Sequence, residues 1–287
     1  MVVRKQYELN WDRHRLLLGD RTLIMGVINV TPDSFSDGGL FWDRDRAIAR
    51  GETLAAEGAQ LIDVGGESTR PFSEPLPVAE ETARVIPVIR ELARRLAIPI
   101  SVDTYKAEVA RAALDNGAAL VNDISALRFD PEMAAVVRDF GVPVILMHMQ
   151  GTPRDMQQHP RYENLLQEVH SFFAERLDWC RSRGISPERL ILDPGIGFGK
   201  TLQHNLILIR RLDFFRDLDR PLLIGTSRKS FVGRLTGKEN PLEREWGTGA
   251  TTAIAAWQGA HILRVHMAEA ARQILAVTDA LREAPDS

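Results

Sequence analysis

The chain has 287 residues, 44% of them hydrophobic and 26% charged, which is ordinary for a soluble globular protein. Lysine and arginine number 36 against 39 aspartate and glutamate residues, so the net charge is -3. No basic run has the length that nucleic-acid-binding proteins show, which argues against a nucleic-acid partner. The length allows either one large α/β barrel or two smaller domains.

Cysteine usage and the N-terminal segment indicate the cellular compartment in which the protein works. Cys180 is the only cysteine, so an intrachain disulfide is excluded and a reducing environment fits. The N-terminal segment lacks the apolar core of a signal peptide, and no segment is long enough to span a bilayer. We therefore expect a cytoplasmic protein that does not associate with a membrane.

From Leu23 onward, short apolar runs alternate with stretches in which apolar residues recur at helical spacing. The predicted strands are 23–30, 61–65, 98–103, 120–124, 143–147, 190–193, 221–225 and 262–265. The helical patterns include 79–97, 106–116, 162–183 and 202–217. Residues 1–20 do not follow this alternation. We expect them to form a hairpin that turns at Gly19-Asp20 and covers one end of a barrel.

The alternation predicts an α/β fold of the (β/α)8 TIM-barrel type, because eight strand–helix units fit within about 260 residues. A doubly wound sheet would have fewer strands and a glycine-rich first turn. The glycine-rich turn here is DPGIGFGK after the sixth predicted strand, and it does not spell GxGxxG. No repeat or Pro/Gly linker indicates a second domain. We expect a single barrel over residues 21–287 with a short extension at residues 1–20.

All eight predicted strands carry polar residues at or near their carboxyl ends, where barrel enzymes keep their active sites. These residues are Asn29, Glu67, Thr69, Arg70, Asp103, Asn122, Asp123, His148, Asp193, Ser227, Lys229, Ser230, Arg264 and His266. Any one of them could instead cap a turn or a helix, or bond to its neighbours inside the barrel. Polar termini on every strand together favour a binding site.

The chemistry of this set indicates two kinds of ligand. A carboxylate accepts two parallel hydrogen bonds from adjacent N–H groups, an amide both donates and accepts, and lysine can donate to a ring carbonyl. A planar heterocycle with an amidine-like edge therefore suits Asp103, Asp193, Asn122 and Lys229. Arg264, His266 and Asn29 lie on adjacent strands and suit an anion, and the amide oxygen could hold Mg²⁺. A pterin beside a pyrophosphate satisfies both halves.

The first predicted strand leads into a loop, since the apolar run LIMGVINV breaks at Thr31-Pro32 into DSFSDGG. Phe35 is the aromatic residue among flexible polar neighbours in this loop. Loops of this composition often close over a site as lids. We expect the loop to cover the barrel mouth.

The residues resemble the dihydropteroate synthase family of pterin-binding enzymes. The resemblance is carried, in the family's order, by NVTPDSFSDGG, GGESTRP, SVDT, VNDIS, LDPGIGFGK, TSRKS and RVH. It covers residues 22–281, nearly the whole chain. It implies a Mg²⁺-dependent barrel enzyme that joins 6-hydroxymethyl-7,8-dihydropterin pyrophosphate to p-aminobenzoate, giving 7,8-dihydropteroate and pyrophosphate. These small molecules would be its partners, and the resemblance further implies a homodimer.

The resemblance also implies site residues, position by position. The pterin would be bound by Asp103, Asn122, Asp193, Lys229, Met147 and Phe198. The pyrophosphate would be bound by Asn29, Arg264 and His266, with Asn29 as the metal ligand. The p-aminobenzoate site would contain Thr69, Arg70, Pro71, Phe35, Ser227 and Ser230, with Phe198 as a further apolar wall. Catalysis would rest on Asp103, Arg70 and Lys229, and Asp37 would help the two loops to close.

The resemblance implies a dissociative reaction in which pyrophosphate leaves before the arylamine attacks, since an aniline-type nitrogen is a poor nucleophile. Loop closure would exclude water from the cation. Dimerisation would use the later helices, with 202–217 and 249–258 as candidate surfaces, although apolar helix faces more often pack on the barrel itself.

One departure and two alternatives remain at this stage. The family pattern continues ESTRPG, whereas Phe72 follows Pro71 here, which alters the backbone freedom of the second loop. A non-catalytic pterin-binding paralogue would keep the fold without turnover. A methyltetrahydrofolate:corrinoid methyltransferase would share the Asp and Asn contacts, but it would have no use for a pyrophosphate cluster or for the NVTPDSF lid, and Arg264, His266 and Arg70 argue against it.

Overall fold

The computed structural model describes residues 4–31, 40–69 and 73–285, with the backbone alone for residues 40–43. The strands are β1 (Tyr7–Trp11), β2 (His14–Leu18), β3 (Leu23–Asn29), β4 (Leu61–Gly65), β5 (Ile100–Asp103), β6 (Leu120–Asp123), β7 (Val144–Met147), β8 (Leu190–Asp193), β9 (Leu223–Ile224) and β10 (Ile262–Val265). The helices are α1 (Leu40–Ala56), α2 (Val78–Arg95), α3 (Ala107–Asp115), α4 (Met133–Phe140), α5 (Leu165–Ser182), α6 (Leu202–Arg210), α7 (Ser230–Thr236), α8 (Glu245–Trp257) and α9 (Ala268–Glu283). Short 3-10 helices lie at Pro187–Arg189, Leu212–Leu218 and Pro241–Glu243.

Within the described residues, eight parallel strands form one sheet in the order β8-β7-β6-β5-β4-β3-β10-β9. A parallel bridge between Leu192 and Leu222 joins the two outer strands, so the sheet nearly closes into a barrel. Helices cover its outer face, which is why the strands are apolar runs and not alternating ones. The predicted (β/α)8 barrel is confirmed.

The amino-terminal hairpin turns at a different place from the one predicted. β1 and β2 pair antiparallel, with Trp11 opposite His14, so the turn lies at Asp12-Arg13. A turn at Gly19-Asp20 would need the segment after it as the second strand. That segment is β3, which the barrel already binds between β10 and β4.

The hairpin packs against the amino-terminal end of the barrel. The indole Nε1 of Trp11 donates to the carbonyl of Ala119, directly before β6, at 2.6 Å. Arg4 pairs with Asp279 of α9 at 2.9 Å, and the two groups are almost completely buried. The hairpin therefore lies at the end of the barrel opposite the predicted site.

Two further predicted elements differ in extent. The predicted helix 202–217 is broken at Arg211 into α6 and the 3-10 helix Leu212–Leu218. The predicted strand 221–225 shrinks to the two-residue β9, because the barrel closes there through a single bridge. Among the described residues, no helix has the length and apolar character needed to cross a bilayer.

Candidate active site

The carboxyl ends of the barrel strands bring several of the predicted polar residues together, while Asp123 faces the helices instead. In the parallel register Asn29 lies beside Gly65, Gly65 beside Asp103, and Asp103 beside Asn122. Further round the barrel, Met147 lies beside Asp193. Residues in register on neighbouring parallel strands face the same side of the sheet, so these side chains share the interior face of the barrel.

Arg264 occupies the centre of this space. Its Nε donates to Asp63 Oδ2 at 2.6 Å and its Nη2 to Asp103 Oδ2 at 2.7 Å. Burial lowers the pKa of the guanidinium, but the two carboxylates raise the pKa more, so Arg264 stays charged. The sequence grouped Arg264 with the anion-binding residues. The structure shows it linked to the carboxylates, while Nη1 makes no hydrogen bond within the described residues.

Asp63 was missed by the sequence analysis. It lies in the middle of β4, completely buried, and it also accepts a hydrogen bond from Asn122 Nδ2 at 2.9 Å. A charged residue inside the otherwise apolar run LIDVG was the available signal, because an unpaired buried carboxylate is very costly. Its partners could not be inferred from one sequence.

Asp103 is a carboxyl group with a strongly shifted pKa. Burial raises its pKa, Arg264 opposes that effect, and the neighbouring carboxylates of Asp63, Glu81 and Asp123 add to it, giving a value of about 7. A group that titrates near neutrality at the mouth of a barrel is a functional-site candidate.

Asp193 ends β8 and Lys229 follows β9, on the other side of the barrel from Asp103. Asp193 Oδ1 accepts a hydrogen bond from the Gly195 backbone at 2.8 Å, and burial raises the pKa of this carboxyl while Lys229 opposes the rise. Lys229 Nζ donates to the Ile196 carbonyl and lies 4.7 Å from the centre of the Phe198 ring. Burial lowers the pKa of Lys229 to about 8, against the opposing effect of Asp193.

Lys200 and His148 lie beside this pair and hold the glycine-rich turn. Lys200 Nζ is buried and contacts His148 Nδ1 at 3.0 Å and the Phe198 carbonyl at 2.9 Å. Gly195 has φ +68°, and a Cβ there would lie 2.0 Å from the His148 carbonyl. Only glycine fits at that position. The motif DPGIGFGK is therefore a tightly packed turn that positions Phe198. The role of Lys200 was not anticipated.

The predicted anion-binding side contains Ser227 and His266. Ser227 is buried, and its Oγ lies 2.9 Å from His266 Nδ1, so residues predicted for two different subsites are in contact. Asn29 is half-buried, and its amide makes no hydrogen bond to the described residues. Ser230, the first residue of α7, is exposed.

Asn29 fits the metal role predicted for it only as one ligand among several. The described residues contain no cluster of three or more His, Cys, Asp or Glu side chains that could hold a metal ion. A single amide oxygen suits Mg²⁺, which commonly keeps waters and takes phosphate oxygens as ligands. The donor set therefore fits an ion that is bound together with a pyrophosphate.

Thr69 is half-buried on the second loop, whose base is firmly held. Glu67 accepts hydrogen bonds from the Leu76 backbone at 2.9 Å and from the Tyr105 hydroxyl at 2.8 Å, and it pairs with Lys106. These contacts join the two ends of the loop. The remaining predicted loop residues lie outside the described part of the chain; they are Phe35, Asp37, Arg70, Pro71 and Phe72.

Apolar side chains lie beside these polar groups. Met147 is buried in a small cluster with Ile124, Met149 and Met156, and the half-buried Phe198 packs against this cluster. The Phe198 ring and the methionine side chains near Asp193 and Lys229 suit the face of a planar ring. The fold and the site thus define a barrel protein whose strand ends carry polar and apolar side chains suited to a polar heterocycle.

Comparison with known proteins identifies the family within this class of barrel proteins. The family model described as "Pterin binding enzyme" matches residues 25–266. A dihydropteroate synthase of Synechocystis sp. is 50% identical over 263 residues, covering 92% of this chain and 91% of that protein.

Two solved structures are also similar. Xanthomonas albilineans dihydropteroate synthase with 4-aminobenzoic acid is 46% identical with a TM-score of 0.92, covering 98% of this chain and 100% of that one. The same enzyme in complex with 7,8-dihydropteroate is 45% identical with a TM-score of 0.85, covering 93% and 95%. The chain belongs to the dihydropteroate synthase family of pterin binding enzymes.

Proposed function

We propose that this protein catalyses the dihydropteroate synthase reaction of folate biosynthesis. It joins 6-hydroxymethyl-7,8-dihydropterin pyrophosphate to p-aminobenzoate and releases 7,8-dihydropteroate and pyrophosphate. The observation that carries the proposal is the group of buried polar side chains at the carboxyl ends of the strands: Asp193 and Lys229 influence each other electrostatically, and Asp103 lies beside Asn122. The test is to incubate the protein with both substrates and to identify dihydropteroate by its mass.

Pterin recognition follows from the chemistry of these groups. The Asp193 carboxylate can accept from the adjacent ring N–H and amino groups of the pterin, and Lys229 can donate to the ring carbonyl. Asn122 and Asp103 lie beside each other on neighbouring strands and would face the rest of the ring. Met147 would lie against the ring face. A neutral ring without paired donors would leave the buried carboxylate unpaired, and this gives selectivity.

The reaction breaks the bond between the pterin methylene carbon and the pyrophosphate oxygen, and the electron pair leaves with pyrophosphate. The cation that remains is stabilised by the pterin ring and by the Asp103 carboxylate. The nitrogen of p-aminobenzoate then forms the new C–N bond and loses one proton. Arg264 Nη1 and His266 supply positive charge and a donor for the departing pyrophosphate. The p-aminobenzoate subsite would comprise Thr69, Arg70, Pro71, Phe35, Ser227, Ser230 and Phe198, with Asp37 assisting loop closure.

Asn29 would hold Mg²⁺ together with the pyrophosphate oxygens, and the bound ion would neutralise charge on the leaving group. We expect EDTA to abolish turnover and added Mg²⁺ to restore it. Asn29→Ala should raise the Mg²⁺ concentration for half-maximal rate at least about tenfold, since even indirect partners of a metal contribute 10–100-fold. A metal titration of initial rates measures this. Full turnover in EDTA would remove Asn29 from this role.

A homodimer is the proposed assembly, and α8 offers a surface for it. Trp246 is 93% exposed and Ile254 is 49% exposed, and with Trp257 they lie on one face of the helix at spacings of eight and three residues. Exposed apolar patches of this kind commonly mark protein–protein contacts. If this face of α8 packed against the same face of a second chain about a two-fold axis, the patch would be buried on both chains.

We expect Trp246→Glu to convert the dimer to a monomer at micromolar concentration, because the substitution places a charge in the apolar centre of the contact. Sedimentation velocity measures the assembly state. Leu17→Glu is the matched control, since Leu17 is 53% exposed on the hairpin and outside the proposed surface. A dimer that persists in Trp246→Glu, or that is lost equally in Leu17→Glu, would contradict the assignment of α8.

A further inference from the structure

The proposed function leaves Asp63 without a role, although it is the most deeply buried carboxylate of the site. Its neighbours in the sheet are Val27 on β3 and Ser101 on β5. Its Oδ2 accepts from Arg264 Nε at 2.6 Å and from Asn122 Nδ2 at 2.9 Å. One carboxylate oxygen therefore binds two of the residues assigned to the substrates.

These contacts determine the orientation of the Asn122 amide. A carboxylate that pairs with Arg264 is an acceptor only, so the group that Asn122 turns toward Asp63 must be the donating NH₂. The amide oxygen of Asn122 is then directed away from Asp63. Asn122 can accept a hydrogen bond from the pterin only if Asp63 keeps the amide in this orientation.

The same contacts determine the position of Arg264. Its planar guanidinium is held between Asp63 on one side and Asp103 on the other, at 2.6 and 2.7 Å. Two charge-assisted bonds to different atoms of the fork leave little rotational freedom. Asp63 is thus linked to Asp103 through Arg264, and to Asn122 directly.

We propose that Asp63 is a positioning residue of the pterin site, which orients the Asn122 amide and holds Arg264 against Asp103. The proposal rests on the proposed function, because it concerns how the same pocket binds the same pterin. Asp63 itself need not contact the substrate for this role.

The charge of Asp63 affects the pKa of Asp103, and this effect distinguishes a positioning role from simple packing. The charged groups that act on Asp103 come from every element around it; they are Asp63 on β4, Glu81 on α2, Asp123 on β6, Arg264 on β10 and Lys229 before α7. The negative charge of Asp63 raises the pKa of Asp103. Removing that charge would lower the pKa of Asp103 below its value of about 7.

The experiment compares Asp63→Asn with Ser101→Ala in the full-length protein. Ser101 is the sheet neighbour of Asp63, is equally buried, and its hydroxyl has no hydrogen-bond partner among the described residues. We expect Asp63→Asn to raise KM for the pterin pyrophosphate at least about 30-fold, the lower range for breaking a buried charged pair. KM for p-aminobenzoate should change less than about threefold. Ser101→Ala should match the wild type.

The pH dependence is the second readout. The acid limb of kcat/KM for the pterin pyrophosphate should move to lower pH in Asp63→Asn, because Asp103 then ionises more easily. If Asp63→Asn does not fold, Asp63→Ser takes its place, since the smaller side chain leaves room for a water molecule at the carboxylate position.

Three outcomes would overturn the proposal: a pterin KM within about threefold of that of Ser101→Ala, an equal rise in both KM values, or an acid limb that does not move. Wild-type protein that makes no dihydropteroate would instead overturn the proposed function. In that case calorimetric titration of the pterin pyrophosphate against the same variants still tests the role of Asp63, with the same 30-fold loss expected.

Discussion

Asp193→Asn is expected to weaken binding of the pterin pyrophosphate at least about 30-fold, and up to several thousandfold. Truncating or neutralising one partner of a buried, hydrogen-bonded charged pair costs about 2–5 kcal/mol. Asparagine keeps the shape of the side chain and can still accept from the Gly195 backbone, as Asp193 does at 2.8 Å. Its NH₂ group, however, would face the paired donors of the pterin. Isothermal titration calorimetry measures the affinity directly, without turnover.

The matched control for this variant is Asp123→Asn. Asp123 is also a buried carboxylate at the end of a barrel strand, and it accepts backbone hydrogen bonds from Ser125 at 2.7 Å and from Leu127 at 3.0 Å. It alternates with Asn122 along β6 and so faces the helices, outside the pocket. If Asp123→Asn lost as much affinity as Asp193→Asn, or if neither lost any, Asp193 would not be the residue that recognises the pterin.

Lys229→Met is expected to lower kcat/KM for the pterin pyrophosphate about 100-fold or more, because it removes the charged donor and the cation that most opposes the raised pKa of Asp193. The wild type should also lose activity with rising pH. The pKa of Lys229 is lowered by burial to about 8, so its positive charge is present below pH 8 and disappears above it. The Asp103 carboxylate, with a pKa of about 7, is lost as the pH falls. We therefore expect kcat/KM for the pterin pyrophosphate to depend on pH in a bell shape, with an acid limb near pH 7 and an alkaline limb near pH 8.

The Lys229→Arg variant distinguishes the effect of the positive charge from the effect of the side-chain shape. An arginine stays protonated throughout, so the alkaline limb near pH 8 should vanish even though the wider guanidinium lowers the maximum rate. Steady-state rates from pH 5.5 to 10 provide the comparison. An alkaline limb that is unchanged in Lys229→Arg would assign that limb to another group.

The barrel was predictable from the sequence because every strand is covered on both faces. Covered parallel strands are apolar runs, and turn residues at their carboxyl ends mark where each one stops. The predictions that were wrong, the position of the hairpin turn and the extent of one helix, have local causes. The hairpin turn was placed at Gly19-Asp20 because glycine suggests a turn, whereas the pairing of β1 with β2 was not visible in sequence. The segment 202–217 keeps helical spacing across a break at Arg211 that only packing reveals.

Only some of the site residues could be predicted from the sequence. Polar residues after strands were found, since they interrupt an apolar pattern. Asp63 and Lys200 were not found, because one lies inside a strand and the other ends a glycine-rich turn, and neither position distinguishes a structural role from a functional one. Their importance comes from partners far away in sequence: Arg264 for Asp63, and His148 for Lys200.

The measurement that tests the central claim most directly is pyrophosphate release from the dihydropterin pyrophosphate, with Mg²⁺, with and without p-aminobenzoate, and with the product identified by mass. A synthase should release pyrophosphate in step with dihydropteroate formation when p-aminobenzoate is present. Binding of the pterin pyrophosphate with neither product would contradict the proposed activity. It would favour a non-catalytic pterin-binding protein, and Phe72 in the second loop would then be the first position to change.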